Sequence, residues 1–196
     1  MDDHLITAPT LNRPAHSEAE AFGAVTWLWM QSPDHRTLPL QALQQLLLPA
    51  IQSGQYLLLH ERSATGLRPV AYLSWAHLSA EAESRYLDHP LLGLQPADWC
   101  SGDRMWAIDW ITPLGHAHAL RASILRLLPQ VCFRFLYHRG NERGLRIKTY
   151  RGRAITAEQA RQWWLARPML AAAQAGTPAH DLLNRPQAIH QEGKQA

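Results

Sequence analysis

The sequence predicts an α+β or α/β fold in which helices cover a mixed sheet. Helical and strand-like patterns alternate along 196 residues, a length typical of a single domain. No apolar run approaches the roughly 20 residues that span a membrane. The two cysteines, Cys100 and Cys132, show neither metal-ligand spacing nor a disulfide framework. We therefore expect a cytoplasmic domain without a membrane span and without a metal site.

The residues that begin and end each predicted helix or strand divide the chain into a series of elements. Apolar residues at helical spacing predict a first helix over 19–31, which ends before Pro33 because a residue preceding proline avoids the helical region. Thr37 is expected to cap a second helix, with a kink at Pro49 and an end at Gly54. Strands are predicted over 56–61, 70–77, 105–111, 131–138 and 145–151. Further helices are predicted over 79–88, after Gly115, and from a capping box that opens at Thr156.

The two ends of the chain are predicted to lie outside this domain. Residues 1–18 are polar and punctuated by proline, which is typical of a flexible arm. Residues 175–196 are rich in Pro, Gln and Ala without periodicity, which is typical of a disordered tail. The folded domain is therefore expected over 19–174.

Charge is distributed unevenly along the chain. Residues 1–119 carry a net charge of −6 and residues 120–168 carry +9, and the chain has 17 Arg against 2 Lys. An Arg-rich segment of this kind suits an anionic partner. The residues alone leave open a nucleic acid, with Trp163 and Trp164 as stacking groups, an acidic protein, and a phosphorylated carrier.

Three short groups of residues could take part in catalysis or ligand binding. His35, at a break between two helices, could act as a proton shuttle or be an ordinary solvated loop histidine. Asp109 lies in an apolar strand, where a carboxylate needs a partner, so it could orient a histidine or pair with Arg104. If side chains alternate strictly along this strand, Asp109 lies on one face of the sheet and Trp106 lies on the other. Gly115 lies in a strand-to-helix turn whose amides could cradle a phosphate, although an ordinary connecting turn is the simpler interpretation.

Several ordered motifs connect these positions. They are GAVTWLWM at 23–30, SPDHR at 32–36, LPAIQSGQY at 48–56, PVAYLSWA at 69–76, SGDRMWAIDWI at 101–111 and, more loosely, YRGRA at 150–154. With these motifs at consistent spacing, the chain resembles the RTX toxin-activating lysine acyltransferases, the HlyC/CyaC-type family. The resemblance covers about residues 22–165.

The resemblance implies a fold similar to the GNAT acyltransferases, with a mostly antiparallel sheet, and a homodimer. It implies an enzyme that moves a fatty acyl group from acyl-carrier protein to internal lysine ε-amines of an RTX protoxin, with no bound cofactor. The family's essential histidine falls on His35, its catalytic aspartate on Asp109, and an implicated serine on Ser32. His35 would be the general base and Asp109 would orient it. A covalent acyl-histidine intermediate is the rival mechanism.

The same resemblance narrows the partner of the Arg-rich segment. Because acyl-carrier proteins are acidic, we expect residues 120–168 to form the docking face, with Arg143, Arg146 and Arg151 on it and no nucleic acid bound. Backbone amides near Gly115 would hold the phosphopantetheine phosphate. Two departures from the family pattern, at 37–39 and 112–114, leave the acyl chain length and the toxin preference open.

Two alternatives are weighed against this hypothesis. A GNAT-like transferase that uses acyl-CoA on another amine fits less well, because the turn at 112–117 lacks the second glycine typical of acetyl-CoA loops. A non-catalytic binding module would use the Arg-rich segment but would have no need for both His35 and Asp109.

Overall fold

A computed structural model of the chain describes residues 4–11, 16–64, 66–90, 93–137 and 146–169. Within these ranges six strands form one sheet in the order β1-β2-β3-β4-β5-β6. The strands are β1 (His4–Thr7), β2 (Tyr56–Ser63), β3 (Gly66–Leu78), β4 (Arg104–Ile111), β5 (Cys132–Tyr137) and β6 (Arg146–Arg151). The α-helices are α1 (Glu18–Gln31), α2 (Ala42–Leu46), α3 (Leu48–Ser53), α4 (Ala80–Asp88), α5 (Ala117–Leu127) and α6 (Ala157–Ala166).

The sheet is mixed. All neighbouring strands pair antiparallel except β4 and β5, which run parallel and are connected through α5. This arrangement confirms the predicted α+β class and agrees with a GNAT-like architecture. None of the helices in the described ranges has the length and apolarity that crossing a membrane requires.

Helices cover both faces of the sheet. On one face, Trp75 of β3 and Ala107 of β4 pack against Ile124 of α5 in a single buried cluster. On the other face, Val25 of α1 packs in a buried cluster with Tyr72 of β3. The apolar alternation along β3 therefore serves two separate layers, which is how one strand can be buried on both sides.

Two sequence predictions about elements are wrong. The flexible arm expected over 1–18 contains β1, which pairs with β2 from His4 to Thr7, and Ile6 is buried against the α5 layer. The second helix does not begin at Thr37: residues 37–41 are not helical, and two short helices, α2 and α3, follow. Pro49 occupies the first turn of α3, where its missing N–H costs nothing, so the predicted kink becomes a new helix start.

Other predicted boundaries are confirmed by the structure. Ser32 ends α1, and Gly54 ends α3 in the left-handed conformation, with φ of 69°. Thr156 caps α6, and the capping box with Gln159 is complete. The predicted tail over 175–196 lies outside the described residues.

A buried carboxylate joins α4, β4 and β5. Glu83 of α4 is 1% exposed, accepts a hydrogen bond from Trp106 Nε1 at 2.8 Å and pairs with Arg134 Nη1 at 3.0 Å. The Arg134 guanidinium also lies 5.4 Å from the ring centroid of Trp163 and 5.1 Å from that of Trp164. These two tryptophans therefore pack on an internal cation, which argues against their predicted use as nucleic-acid stacking groups.

Candidate active site

His35 is held by the turn that follows α1. Ser32 ends that helix, and its carbonyl accepts hydrogen bonds from the N–H groups of His35 at 3.2 Å and Arg36 at 3.0 Å. The Ser32 hydroxyl lies 2.8 Å from His35 Nδ1, and the Trp29 ring lies 4.9 Å from the imidazole. A buried serine and a buried tryptophan therefore fix the position of the imidazole from two sides.

Asp109 is presented by a bulge in β4. Leu73 pairs with Trp110 and Trp75 pairs with Ala107, so one residue of β3 stands opposite two residues of β4. That single residue is Ser74, which is fully buried and accepts a hydrogen bond from the Asp109 N–H at 3.2 Å.

The bulge overturns the predicted face of Asp109. Trp106 packs with the α4 layer and Trp110 stacks with Phe135 on the α5 side, at 6.2 Å between ring centroids. Strict alternation would put both tryptophans on one face, but the extra residue shifts the register between them. Asp109 therefore points to the same side as Trp106, toward the end of α1.

The structure brings Ser32, His35 and Asp109 into one hydrogen-bonded chain. His35 Nε2 lies 3.2 Å from Asp109 Oδ1, and the two side chains are 18% and 15% exposed. Asp109 thus faces His35 rather than Arg104, the alternative partner that the sequence left open. A neutral imidazole that donates from Nε2 to the carboxylate can accept the serine proton at Nδ1, so one tautomer satisfies both contacts.

The Asp109 carboxylate is embedded among buried phenols. Burial and the nearby charge of Asp109 raise the pKa of both Tyr72 and Tyr86, so both hydroxyls stay protonated. Asp109 Oδ2 is buried and has no hydrogen-bond partner among the residues that the structure describes. The carboxylate therefore keeps one oxygen with which to stabilise a positive charge nearby.

Sequence reasoning missed two of these contributors, Ser74 and Tyr72. Both lie in the PVAYLSWA motif, on the face of β3 that carries the α1 layer. A serine inside an otherwise apolar strand is the signal that could have found Ser74, but its partner depends on a bulge that no residue pattern announces.

The pairing of β4 with β5 ends beside Asp109, and we call the gap between the two strands the β4–β5 cleft. Strands β4 and β5 pair only through Trp106 with Arg134 and Ala107 with Phe135. Beyond these two pairs, Ile108–Ile111 of β4 has no strand partner on the β5 side within the described ranges. The His35–Asp109 pair thus lies at the point where two parallel strands separate, with an unpaired main-chain edge of β4 next to it in the described ranges.

Gly115 occupies the turn that was predicted to hold a phosphate. Its φ of 83° lies in the left-handed region, and no neighbour would obstruct a side chain there, so the backbone conformation is the reason for glycine. Its N–H already donates to the Thr112 carbonyl at 3.3 Å. The next residue, His116, contacts the Glu61 carboxylate at 3.0 Å. The turn is therefore less suited to binding a phosphate than its sequence predicted.

Two of the three arginines predicted to form a docking face, Arg146 and Arg151, are not brought together. Arg143 lies outside the described residues. Arg146 pairs with Tyr137 at the cleft end of β5, whereas Arg151 pairs with Cys132 at the opposite end, about 16 Å away along the strand. An odd spacing within one strand also places Arg146 and Arg151 on opposite faces of the sheet.

Other cations of the Arg-rich segment serve the fold. Arg134 is 4% exposed and pairs with Glu83, and Arg167 pairs with Asp103 at 2.6 Å. The net charge of +9 over residues 120–168 therefore overstates the positive charge that this segment presents to a partner.

Comparison with known proteins gives consistent matches. The family model that describes RTX toxin acyltransferases matches residues 15–151. The chain is 41% identical to protein-lysine palmitoyltransferase CyaC of Bordetella bronchiseptica, over 79% of this chain and 81% of that protein. It is 41% identical to the RTX-I toxin-activating lysine-acyltransferase ApxIC of Actinobacillus pleuropneumoniae, over 69% and 76%. It is 44% identical to protein-lysine myristoyltransferase HlyC of Escherichia coli, over 63% and 68%.

Proposed function

Because the chain belongs to the RTX toxin acyltransferase family, we propose that it transfers a fatty acyl group from acyl-carrier protein to internal lysine ε-amines of an RTX protoxin. Relatives named as protein-lysine palmitoyl- and myristoyltransferases support a fatty acyl group and a lysine acceptor. The single observation that carries the proposal is the Ser32–His35–Asp109 chain at the mouth of the β4–β5 cleft.

The first task of the site is to deprotonate the acceptor. A lysine amine has a pKa near 10.4, so at neutral pH it is an ammonium ion without a nucleophilic lone pair. His35 is the base within the site, but both of its ring nitrogens already have partners. The lysine proton therefore passes to the Ser32 oxygen while the Ser32 proton passes to His35 Nδ1. Asp109 then stabilises the imidazolium that forms.

The second task is acyl transfer. The neutral amine attacks the thioester carbonyl, the new C–N bond forms, and the C–S bond breaks with the electron pair going to sulfur. The nitrogen loses its second proton, which ends on the leaving thiolate, and His35 releases the first proton to solvent. In this scheme Ser32 relays the proton from the lysine to His35, Asp109 stabilises the imidazolium, and the acyl group never becomes bound to the enzyme.

The donor is proposed to lie in the cleft. The pantetheine arm of a carrier protein contains amide groups, and the free edge of β4 over Ile108–Ile111 offers main-chain donors and acceptors for them. This edge includes Asp109, so a thioester at the tip of the arm would reach the Ser32–His35–Asp109 chain.

The carrier protein itself is proposed to dock at the cleft end of β6. Arg146 is exposed there, and Arg143 precedes it in sequence. Arg151 lies at the far end of the strand, so we expect it to contribute less to carrier docking than Arg146. A carrier-dependent enzyme of this kind would act in the cytoplasm. The homodimer that the resemblance implied stays a prediction, and light scattering can measure the oligomeric state.

One reconstitution tests the proposed activity. The protein is incubated with acylated carrier protein and a candidate RTX protoxin, and lysine acylation is mapped by mass spectrometry. We expect acylation with wild type and with His118→Ala, an exposed histidine that serves as a matched control, and none with His35→Ala. Acylation from acyl-CoA but not from acylated carrier protein would overturn the proposed donor. Undiminished acylation by His35→Ala would overturn the base.

The rival covalent mechanism has its own test. Labelled acylated carrier protein is mixed with the enzyme in the absence of protoxin, and protein-bound label is measured after denaturation. Direct transfer predicts no labelled enzyme, whereas an acyl-histidine intermediate predicts label that disappears in His35→Ala.

A further inference from the structure

A second group of chemically capable side chains lies where β1, β2 and the start of α5 meet. His4 is the first residue of β1 and pairs directly with Glu61 of β2, so their side chains project from the same face of the sheet. His116 immediately precedes α5 and reaches the same carboxylate. Three separate segments of the chain thus place two imidazoles and one carboxylate together.

The distances among these groups are short. His116 Nε2 lies 3.0 Å from Glu61 Oε2, and the His4 and His116 rings are 5.6 Å apart in an edge-to-face arrangement. One donor atom from each residue lies within 4.8 Å of the other two. The side chains of His116 and Glu61 are 20% and 25% exposed, so solvent ions can reach the group.

The carboxylate is oriented by a neighbour. Arg68 of β3 pairs with Glu61 Oε1, which leaves Oε2 turned toward His116. His116 Nδ1 is buried and has no hydrogen-bond partner among the described residues, so the group keeps an unused nitrogen lone pair or proton.

We propose that His4, Glu61 and His116 form a binding site for a divalent transition-metal ion, and that Zn²⁺ is the ion that fits it. Two imidazoles with one carboxylate are a donor set that Zn²⁺ accepts, with water in the fourth position. Ligands at about 2.0–2.1 Å around a tetrahedral ion are about 3.3 Å from one another. The observed separations reach that value through rotation of partly exposed side chains.

Two positive groups oppose the ion and set the strength of the site. Arg68 shares the carboxylate, and the positive end of the α5 dipole lies at His116. The site therefore binds more weakly than one built from the same ligands without a competing cation. This competition provides a discriminating test. Removal of Arg68 should tighten metal binding if the group is an ion site, whereas in a simple ion-pair cluster it would only remove a stabilising contact.

The site gives β1 a role that the catalytic scheme does not use. His4 lies before residues 15–151, the range that the family model matches. A metal ion held by His4, Glu61 and His116 would tie the edge strand β1 to β2 and to α5. Bound metal would therefore stabilise the folded chain, since an ion that prefers the folded state raises the free energy of unfolding.

The test uses the full chain without an affinity tag. Zn²⁺ binding is measured by calorimetry, and Co²⁺ is used as a spectroscopic substitute whose visible absorption reports tetrahedral coordination. We expect one Zn²⁺ per chain, a rise in melting temperature, and a loss of affinity of about tenfold or more in His4→Gln and His116→Gln. His118→Gln, on the exposed side of α5, is the matched control and should bind as wild type.

Arg68→Gln completes the design. Removal of the competing cation should tighten Zn²⁺ binding if the ion sits on Glu61, and circular dichroism confirms that each variant is folded. Absence of Zn²⁺ binding in the wild-type chain overturns the proposal. Equal binding by wild type, His4→Gln and His116→Gln also overturns it, because the ion would then be held by other residues.

Discussion

The hydroxyl of Ser74 accepts a hydrogen bond from the backbone N–H of Asp109, 3.2 Å away, at the bulge between β3 and β4. This contact occupies the place of a regular ladder bond and fixes the extra residue of β4. The direction of the Asp109 side chain therefore depends on a buried serine that does not itself contact His35.

Ser74→Ala is expected to lower kcat for acyl transfer by about tenfold with little change in KM. The substitution leaves a buried N–H without its acceptor, which costs about 1–3 kcal/mol and loosens the bulge that aims the carboxylate. Steady-state kinetics on carrier protein and protoxin measure the split. Ser123→Ala, a buried serine on α5, is the control, and Ser74→Thr should restore kcat because it keeps the hydroxyl. An unchanged kcat in Ser74→Ala would contradict the positioning role.

Asp109→Asn is expected to reduce the rate of lysine acylation by about 10²–10⁴-fold without unfolding the protein. The amide keeps the shape of the side chain but carries no charge with which to stabilise an imidazolium. Mass spectrometry of the protoxin measures the rate, and circular dichroism checks the fold. Activity within a factor of two of wild type would show that Asp109 is a structural carboxylate.

Ser32→Ala is expected to lower activity less than His35→Ala does. Without the hydroxyl, the lysine amine can approach His35 Nδ1 directly, so the base remains while the relay is lost. Single-turnover rates with preloaded carrier protein compare the two variants. Equal and complete loss in both would show either that the relay through Ser32 is obligatory or that Ser32 is itself the nucleophile. Only a nucleophilic Ser32 would give labelled wild-type enzyme in the absence of protoxin.

Arg146→Glu is expected to raise the KM for acylated carrier protein by about tenfold at low salt, whereas Arg151→Glu is expected to leave it within about twofold. The reason is position, because Arg146, unlike Arg151, lies at the end of β6 beside the cleft. Kinetics at low and high ionic strength measure both effects. A larger effect of Arg151→Glu would place the carrier at the opposite end of the sheet.

His60→Gln is expected to flatten the acid limb of the stability profile. His60 is 4% exposed, and burial, with a smaller contribution from His16, lowers its pKa to about 4. Because a histidine of the unfolded chain titrates near 6.5, the unfolded state gains the proton first as pH falls. The contribution of His60 to the free energy of unfolding is therefore constant above about pH 6.5. It falls by up to about 3 kcal/mol as the pH is lowered from 6.5 toward 4.

Urea denaturation at neutral and acid pH measures this contribution. The loss of stability on acidification should be smaller in His60→Gln than in wild type, and His118→Gln should behave as wild type. An identical loss in wild type and His60→Gln would show that His60 titrates normally in the folded chain.

The sequence predicted the positions of the elements better than their exact pairing. Helical periodicity and capping residues such as Thr156 and Gly54 act locally, so they can be recognised without the rest of the fold. The strand β1 could not be recognised, because a short edge strand is stabilised by its partner β2 rather than by its own pattern.

The candidate site shows the same division. His35 and Asp109 are 74 positions apart, and family resemblance, not spacing, suggested that they belong together. The face of Asp109 was predicted wrongly because a bulge depends on both strands, with Ser74 supplying the acceptor. Arg134 contributes to the +9 charge of residues 120–168 because charge can be counted from the sequence, whereas its burial against Glu83 cannot be predicted in that way.

The two-pair junction between β4 and β5 has a consequence for how binding energy is shared. His35 and Asp109 belong to the block that ends with β4, while the proposed carrier contacts belong to β6. Within the described ranges, the strand pairing between these blocks consists of Trp106 with Arg134 and Ala107 with Phe135. We expect any thermodynamic coupling between recognition of the carrier and the position of the Asp109 carboxylate to pass in part through Glu83, because Glu83 contacts both Trp106 and Arg134.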